Sequence, residues 1–360
     1  MSVYERLQIL LDSHPSSAPK SKHFDEILRI LFTPDEAALA LSMNFSPRST
    51  DSIAAKAEIP LDEAEALLES MAEKVIIFSR EKDGRKEYGL IPTIPGLFEF
   101  PFMRGGGTET LERLGELWHD YHREALGKAF AGSATPLARV IPVEKALDTE
   151  IQVHPYEEVA VLIEKADYIA LAQCACRVSV GKCDAPRDTC LIFGAPARFL
   201  VEKGYARKIT RAKALKVLDR SERAGLVHTS NNSADRAGFI CNCCSCCCTL
   251  LRGLTELDLP NAIGRSGFQA LVDPEKCNGC GICSDERCPV GAAVIEEETA
   301  LVDGERCIGC GLCVSTCPTE AISLVRRSRQ PDIPGTMEEM GMAVLSEKGK
   351  LEAFMNVMNT

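Results

Sequence analysis

Val272-Asp-Pro-Glu-Lys-Cys277-Asn-Gly-Cys280-Gly-Ile-Cys283 returns thirty residues later as Val302-Asp-Gly-Glu-Arg-Cys307-Ile-Gly-Cys310-Gly-Leu-Cys313. Each copy closes on a Cys-Pro pair, Cys288-Pro289 and Cys317-Pro318. The second copy reads C-x2-C-x2-C-x3-C-P, and the first is one residue longer before its last cysteine. Three thiolates this close can wrap three corners of one compact inorganic core only if the backbone turns tightly around it. Gly279, Gly281, Gly309 and Gly311 permit that turning and leave amide N–H groups free to bond sulfur. A fourth corner must come from elsewhere, because the next cysteine lies beyond a turn.

The rest of the chain sets the context. It has 360 residues, enough for two or three domains, and a formal charge of −11. Eighteen cysteines stand out. Met1–Pro15 is amphipathic, with Glu5, Arg6 and Asp12 among its apolar residues, so no signal-peptide core is present. No stretch approaches the roughly 18 apolar residues of a membrane span. A cytoplasmic location is expected, where thiols stay reduced and clustered cysteines ligate metal more often than they pair.

The doubled motif strongly resembles the bacterial two-[4Fe-4S] ferredoxins over about 272–325. In that family the last cysteine of each run ligates the other run's cluster. The resemblance therefore implies one cluster on Cys277, Cys280, Cys283 and Cys317, and a second on Cys307, Cys310, Cys313 and Cys288. The extra residue before Cys288 distorts the loop or retunes a potential without removing a ligand. The rival reading is a pair of structural zinc sites, but these usually place a long gap between C-x2-C pairs. Two loaded clusters move the net charge to roughly −15, which repels nucleic acid and suits basic redox partner proteins.

Ten cysteines remain. Cys174, Cys176, Cys183 and Cys190 form a C-x-C-x6-C-x6-C pattern, and Cys241, Cys243, Cys244, Cys246, Cys247 and Cys248 crowd into eight residues. Tyr168–Ala172 reads as a short buried strand that delivers Cys174 and Cys176 on one face, followed by a loop over 177–189. Gly194–Lys203 reads as a helix ending at Gly204, Gly238–Cys241 as a strand, and Cys246–Leu257 as a helix. Neighbouring thiols cannot close disulfides geometrically. The functional reading is one or two further iron–sulfur clusters assembled from both segments. Zinc is the alternative metal, and the bland reading is that some of these cysteines are small buried hydrophobes. Arg177 is a candidate to offset cluster charge. The pattern CACR…CNCCSCCC looks like cysteine-rich iron–sulfur proteins of anaerobes.

Residues 22–91 resemble a winged helix. Thr33-Pro34-Asp35-Glu36 caps a helix to about Met43; Thr50–Ala57 and Leu61–Lys74 form a helix–turn–helix pair; Val75–Ser79 and Glu87–Ile91 flank a wing at Lys82–Arg85. DNA binding is not the favoured use. The second helix carries Asp62, Glu63, Glu65, Glu69 and Glu73, and residues 22–91 hold fourteen acids against nine lysines and arginines. Protein docking is the expected role.

The remaining segments are a Pro/Gly-rich linker over 93–107 and a helix from Thr108 to about Phe130 carrying His119 and His122. A C-terminal helix is expected over Met337–Met358. The expected class is α+β: a winged helix (1–92), a linker (93–107), a cysteine-rich α/β domain (108–265), a 2[4Fe-4S] ferredoxin domain (266–326) and a helical tail (327–360). The function expected is electron transfer through two [4Fe-4S] clusters and a mid-chain centre. An iron–sulfur enzyme or subunit of an anaerobic oxidoreductase and a redox-sensing DNA-binding regulator are the alternatives.

Overall fold

A computed structural model of the chain describes residues 1–147, 154 and 157–359. The remaining positions of the middle region and the tail's Thr360 lie outside the described residues.

The N-terminal half opens on helices α1 (Val3–Asp12), α2 (Lys22–Leu31) and α3 (Pro34–Ala40). Both partners of the Thr33–Glu36 capping box are engaged, with Pro34 in the first turn. Then follow β1 (Arg48–Ser49), α4 (Thr50–Ala57), α5 (Leu61–Glu73), β2 (Ile77–Lys82) and β3 (Arg85–Leu90). The strands form one antiparallel sheet in the order β1-β3-β2. The β2–β3 hairpin turns on Asp83-Gly84, both at positive φ, the geometry a two-residue turn requires. Strand β2 begins at Ile77 and not at Val75, because Val75 takes a left-handed conformation just beyond the end of α5.

Residues 93–107 connect this unit to α6 (Glu109–Tyr121) and are themselves packed. Leu97, Phe98, Phe102 and Met103 are buried, and Phe98 lies against Trp118 at 5.4 Å between ring centroids. The helix expected to run on to Phe130 widens into a π turn at His122–Leu126 before α7 (Gly127–Phe130).

The middle region is a six-stranded sheet. Its elements are β4 (Ala138–Val140), α8 (Val159–Lys165), β5 (Ile169–Gln173), α9 (Ala175–Val180), β6 (Asp188–Phe193) and α10 (Gly194–Glu202). They continue with β7 (Arg207–Lys208), α11 (Arg211–Arg223), β8 (Val227–Asn231), β9 (Phe239–Cys243) and α12 (Thr249–Thr255). Strand order is β4-β8-β9-β6-β5-β7 and every pairing is antiparallel. The α/β reading of this region is thus corrected to an antiparallel α+β layer. Both faces are buried, which explains why the strands lack polar alternation. Ile169, Leu171, Leu191, Phe193 and Ile240 pack under α8 and α11, while Ala170, Ala172, Cys190 and Ile192 join the core of the N-terminal half.

The C-terminal segment with the doubled motif pairs β10 (Phe268–Val272) with β13 (Ile322–Arg326), and β11 (Ala293–Glu296) with β12 (Thr299–Val302). The tail is two helices, α13 (Met337–Glu347) and α14 (Leu351–Asn359), not one. Gly349 at φ +66 breaks it. The tail lies on the N-terminal half: Lys348 Nζ donates to the carbonyls of Pro15 and Phe130, and Phe354 stacks on Phe45. Among the described residues no helix is long and apolar enough to cross a membrane.

Candidate metal centres

Two cavities open inside the doubled motif. One, of about 300 Å³ counting space continuous with solvent, is lined by Cys277, Cys280, Cys283 and Cys317. The other, about 360 Å³, is lined by Cys307, Cys310, Cys313 and Cys288. Each triplet therefore shares its cavity with the other copy's Cys-Pro cysteine. Backbone amides aim at the sulfurs. Ala292 N donates to Cys288 Sγ at 3.0 Å, and Ala321 N to Cys317 Sγ at 3.3 Å, the same step along each copy. Ala300 N donates to Cys277 Sγ at 3.3 Å. Gly309 shows why this loop needs glycine: at φ +69 a Cβ there would overlap the Phe268 carbonyl oxygen. The donor set, four soft thiols around each cavity with N–H groups on three of the sulfurs, fits an iron–sulfur cluster.

The extra residue of the first copy is absorbed as a π turn over Ile282–Arg287. It carries Arg287 outward to the C-terminal end of α11, where Nη2 donates to Glu222 O at 2.8 Å and Nη1 to Arg223 O at 3.2 Å. Nε reaches Leu312 O at 3.3 Å, so one side chain ties both motif copies to the middle sheet.

The ten middle cysteines do not group as they do along the chain. Cys183 crosses to Cys244, Cys246 and Cys247, and all four sulfurs lie within 4.8 Å of one another. The other six form a continuous string of thiols in reach of each other: Cys174, Cys176, Cys248, Cys243, Cys241, Cys190. Each linear group is split between the two sites. Strand register is the reason. Leu191 pairs with Ile240, and continuing that register sets Cys190 opposite Cys241, with Cys243 on the same face two residues on. Cys174 caps α9, which places Cys176 inside a helical turn and not on a strand end. Cys248 caps α12, which is shorter than the helix expected from Cys246.

Arg177 lies between the two groups. It is fully buried, and Nη1 donates to Asn242 O at 2.8 Å and approaches Cys244 Sγ at 3.8 Å. Its other terminal nitrogen bonds Thr189. Asn242 in turn donates to Thr189 O at 2.6 Å and meets His228 Nδ1 at 2.7 Å, so a buried polar network underlies the cysteines. A hydrogen bond from Cys247, reinforced by Arg177, lowers the Cys244 thiol below the ordinary thiol range. Contact with Cys176 and burial push Cys174 well above the ordinary thiol range. Turning the whole buried string into thiolates therefore requires a cation.

His119 and His122 stand three apart on one helix, and no motif marks Trp118 or Arg252. The structure gathers all four around one small cavity with Ser179 and Thr249. The cavity is small, with room for about one water. His122 is 6% exposed and Trp118 3%, and both His122 nitrogens and Trp118 Nε1 are buried without a hydrogen-bond partner among the described residues. Burial, reinforced by Arg252, lowers His122 to about 4, so its ring is neutral. Thr249 links the cavity to the cysteines, with Oγ1 at 3.8 Å from Cys176 Sγ. No local sequence signal marks this convergence, because the π turn at His122–Leu126 leaves no trace in the helical period.

Residues 300–323 match the family model of the 4Fe-4S binding domain. No curated protein matches the chain. With a 4Fe-4S binding domain at 300–323 and a separate cysteine cluster in its middle, the chain is an iron–sulfur binding protein.

Proposed function

We propose that this chain is a cytoplasmic electron-transfer protein, a partner or subunit of an oxidoreductase, with two ferredoxin-type [4Fe-4S] clusters and a further centre on the six-thiol string. The assigned ligands are Cys277, Cys280, Cys283 and Cys317 for one cluster and Cys307, Cys310, Cys313 and Cys288 for the other. The clusters supply one-electron storage; the chain supplies the path. The observation that carries this reading is a single apolar core that holds Cys243 and Cys248 of the string together with Cys283, Cys307 and Cys310 of the motif. Val143 N bonds Cys310 O at 3.0 Å across the same seam. Cys280 is exposed at the far end, among exposed Glu275, Asp285, Glu286, Glu296, Glu297 and Glu298, a surface that suits a basic protein donor.

We read the N-terminal unit as a winged-helix-like docking module. Its acidic helix already serves protein contacts: Lys203 of α10 pairs with Glu73 at 2.5 Å and Glu69 at 3.8 Å, and Phe78 packs on Phe199. Non-specific duplex binding should be undetectable at physiological salt; a steep salt-dependent affinity would promote the regulator reading.

The test of the main reading is iron and acid-labile sulfide per chain after anaerobic purification, with spectra of the reduced protein. About twelve irons with matching sulfide, and interacting cluster signals, support it. Zinc without sulfide overturns it.

The unpartnered His122 and Trp118 nitrogens of the cavity beside Thr249 carry a second reading, an enzyme whose mid-chain centre acts on a substrate no larger than water. The variant His122→Phe separates the two. It leaves electron passage to a reference dye intact if the chain is a relay, and abolishes turnover if the cavity is a substrate site.

A further inference from the structure

We propose that Cys183, Cys244, Cys246 and Cys247 hold a single tetrahedral metal ion, iron or zinc, in an all-thiolate site separate from every cluster of the chain. The proposal goes beyond the relay and does not depend on it. Its basis is the spacing of the sulfurs. Cys183 Sγ lies 3.8 Å from Cys244 Sγ and 3.9 Å from Cys247 Sγ, and Cys246 Sγ lies 3.7 Å from Cys247 Sγ. Four thiolates bound tetrahedrally at about 2.3 Å to one ion stand about 3.8 Å apart along each edge. Cubane thiolates are splayed outward from four separate irons and stand much further apart. The same structure supplies the comparison. The eight ferredoxin-type cysteines line open cavities and form no group of three within 4.8 Å among the described residues, whereas these four do.

Local structure supports the count. The chain leaves α9 at Gly181, whose φ of +65 turns it toward the β9 end and sends Cys183 across. The turn after β9 then supplies three sulfurs within four residues, too compressed to embrace a cube. A divalent ion with four thiolates carries a net charge of −2. The permanently charged Arg177, 3.8 Å from Cys244 Sγ, faces that charge from below. Three of the four cysteines are partly exposed, so the ion can be loaded and removed without opening the core.

The test uses the full chain purified anaerobically, wild type against Cys183→Ser/Cys246→Ser. The expected result is loss of about one metal ion per chain, with acid-labile sulfide and the cubane signals of the reduced protein unchanged. Loss of iron and sulfide together in a multi-iron unit, or no change in metal, overturns the proposal. X-ray absorption and Mössbauer spectra of the wild type keep it testable if the variant does not fold. An isolated sulfur shell at about 2.3 Å without a metal neighbour supports it, at the zinc edge for zinc or as mononuclear high-spin iron. Iron found only in clusters, with no zinc, overturns it.

Discussion

Cys288 and Cys317 are the residues on which the doubled motif turns, because each lines the cavity of the copy to which it does not belong. The variant Cys317→Ser should therefore disturb the centre held by Cys277, Cys280 and Cys283. Loss confined to the signal of the Cys307–Cys313 triplet would sink the crossed assignment. The doubled motif is legible because its spacing makes a tight turn, a local property, whereas the crossing of Cys288 and Cys317 enters only through the resemblance. The other ten cysteines are legible as a thiol-dense region and not as a grouping. Their division into four and six depends on Cys190 facing Cys241 across two strands and on Cys183 reaching over from a loop, neither of which leaves a periodic trace. Arg177 was singled out as a counter-charge, and its place between both groups follows from the short helix α9, which a cysteine-dense stretch conceals.

Elements whose limits are set by local chemistry were legible: the Thr33–Glu36 cap, the Asp83-Gly84 turn and the helix Thr50–Ala57 all stand where their residues demand. The direction of the middle strands was not legible, since a strand buried on both faces looks alike in parallel and antiparallel sheets. Nor were the two π turns, each an extra residue inside a helical period. The one at Ile282–Arg287 has a measurable consequence. Charge-assisted bonds from Arg287 to Glu222 O and Arg223 O are worth about 1.5–3 kcal/mol. The variant Arg287→Ala should lower stability by about that amount and raise amide exchange in residues 266–326 before the rest. Unchanged exchange there would show that the π turn is not an anchor. The tail helices carry a pH dependence. His14, against Phe45 and Phe354, is lowered to about 3 by burial, reinforced by Lys348. It stays neutral when folded, while the unfolded chain protonates near 6.5, so stability falls as pH drops from about 6.5 toward 3. Going from pH 7.5 to 5.5 should cost about 1 kcal/mol through this residue, and denaturation of His14→Gln should lack that part of the slope. An identical slope in both proteins would remove His14 as the cause.

At the scale of the molecule, the core between the middle sheet and the C-terminal segment with the doubled motif is shared. Val140, Val143, Val227 and Leu251 pack with Phe268, Ile308, Leu312 and Leu324, and cysteines from both segments lie in the same cluster. Removing the C-terminal segment would strip one side of that core, so a shortened chain cannot report on the middle alone. The informative perturbation is metal removal from the intact chain. Thiolates released from a cation in a buried setting either reprotonate or repel, and the core around them loses its packing. If the two segments form one cooperative unit, iron removal should raise amide exchange in β8 and β9 together with β10 and β13, in one step. The N-terminal core, built on Phe24, Ile27, Leu68 and Tyr121, lies in a different cluster and should keep its protection longer. Hydrogen exchange before and after chelation under anaerobic conditions decides the matter. Loss of protection in β10 and β13 with β8 and β9 unaffected would mean that the segments fold independently, and the shared core would then be contact without coupling.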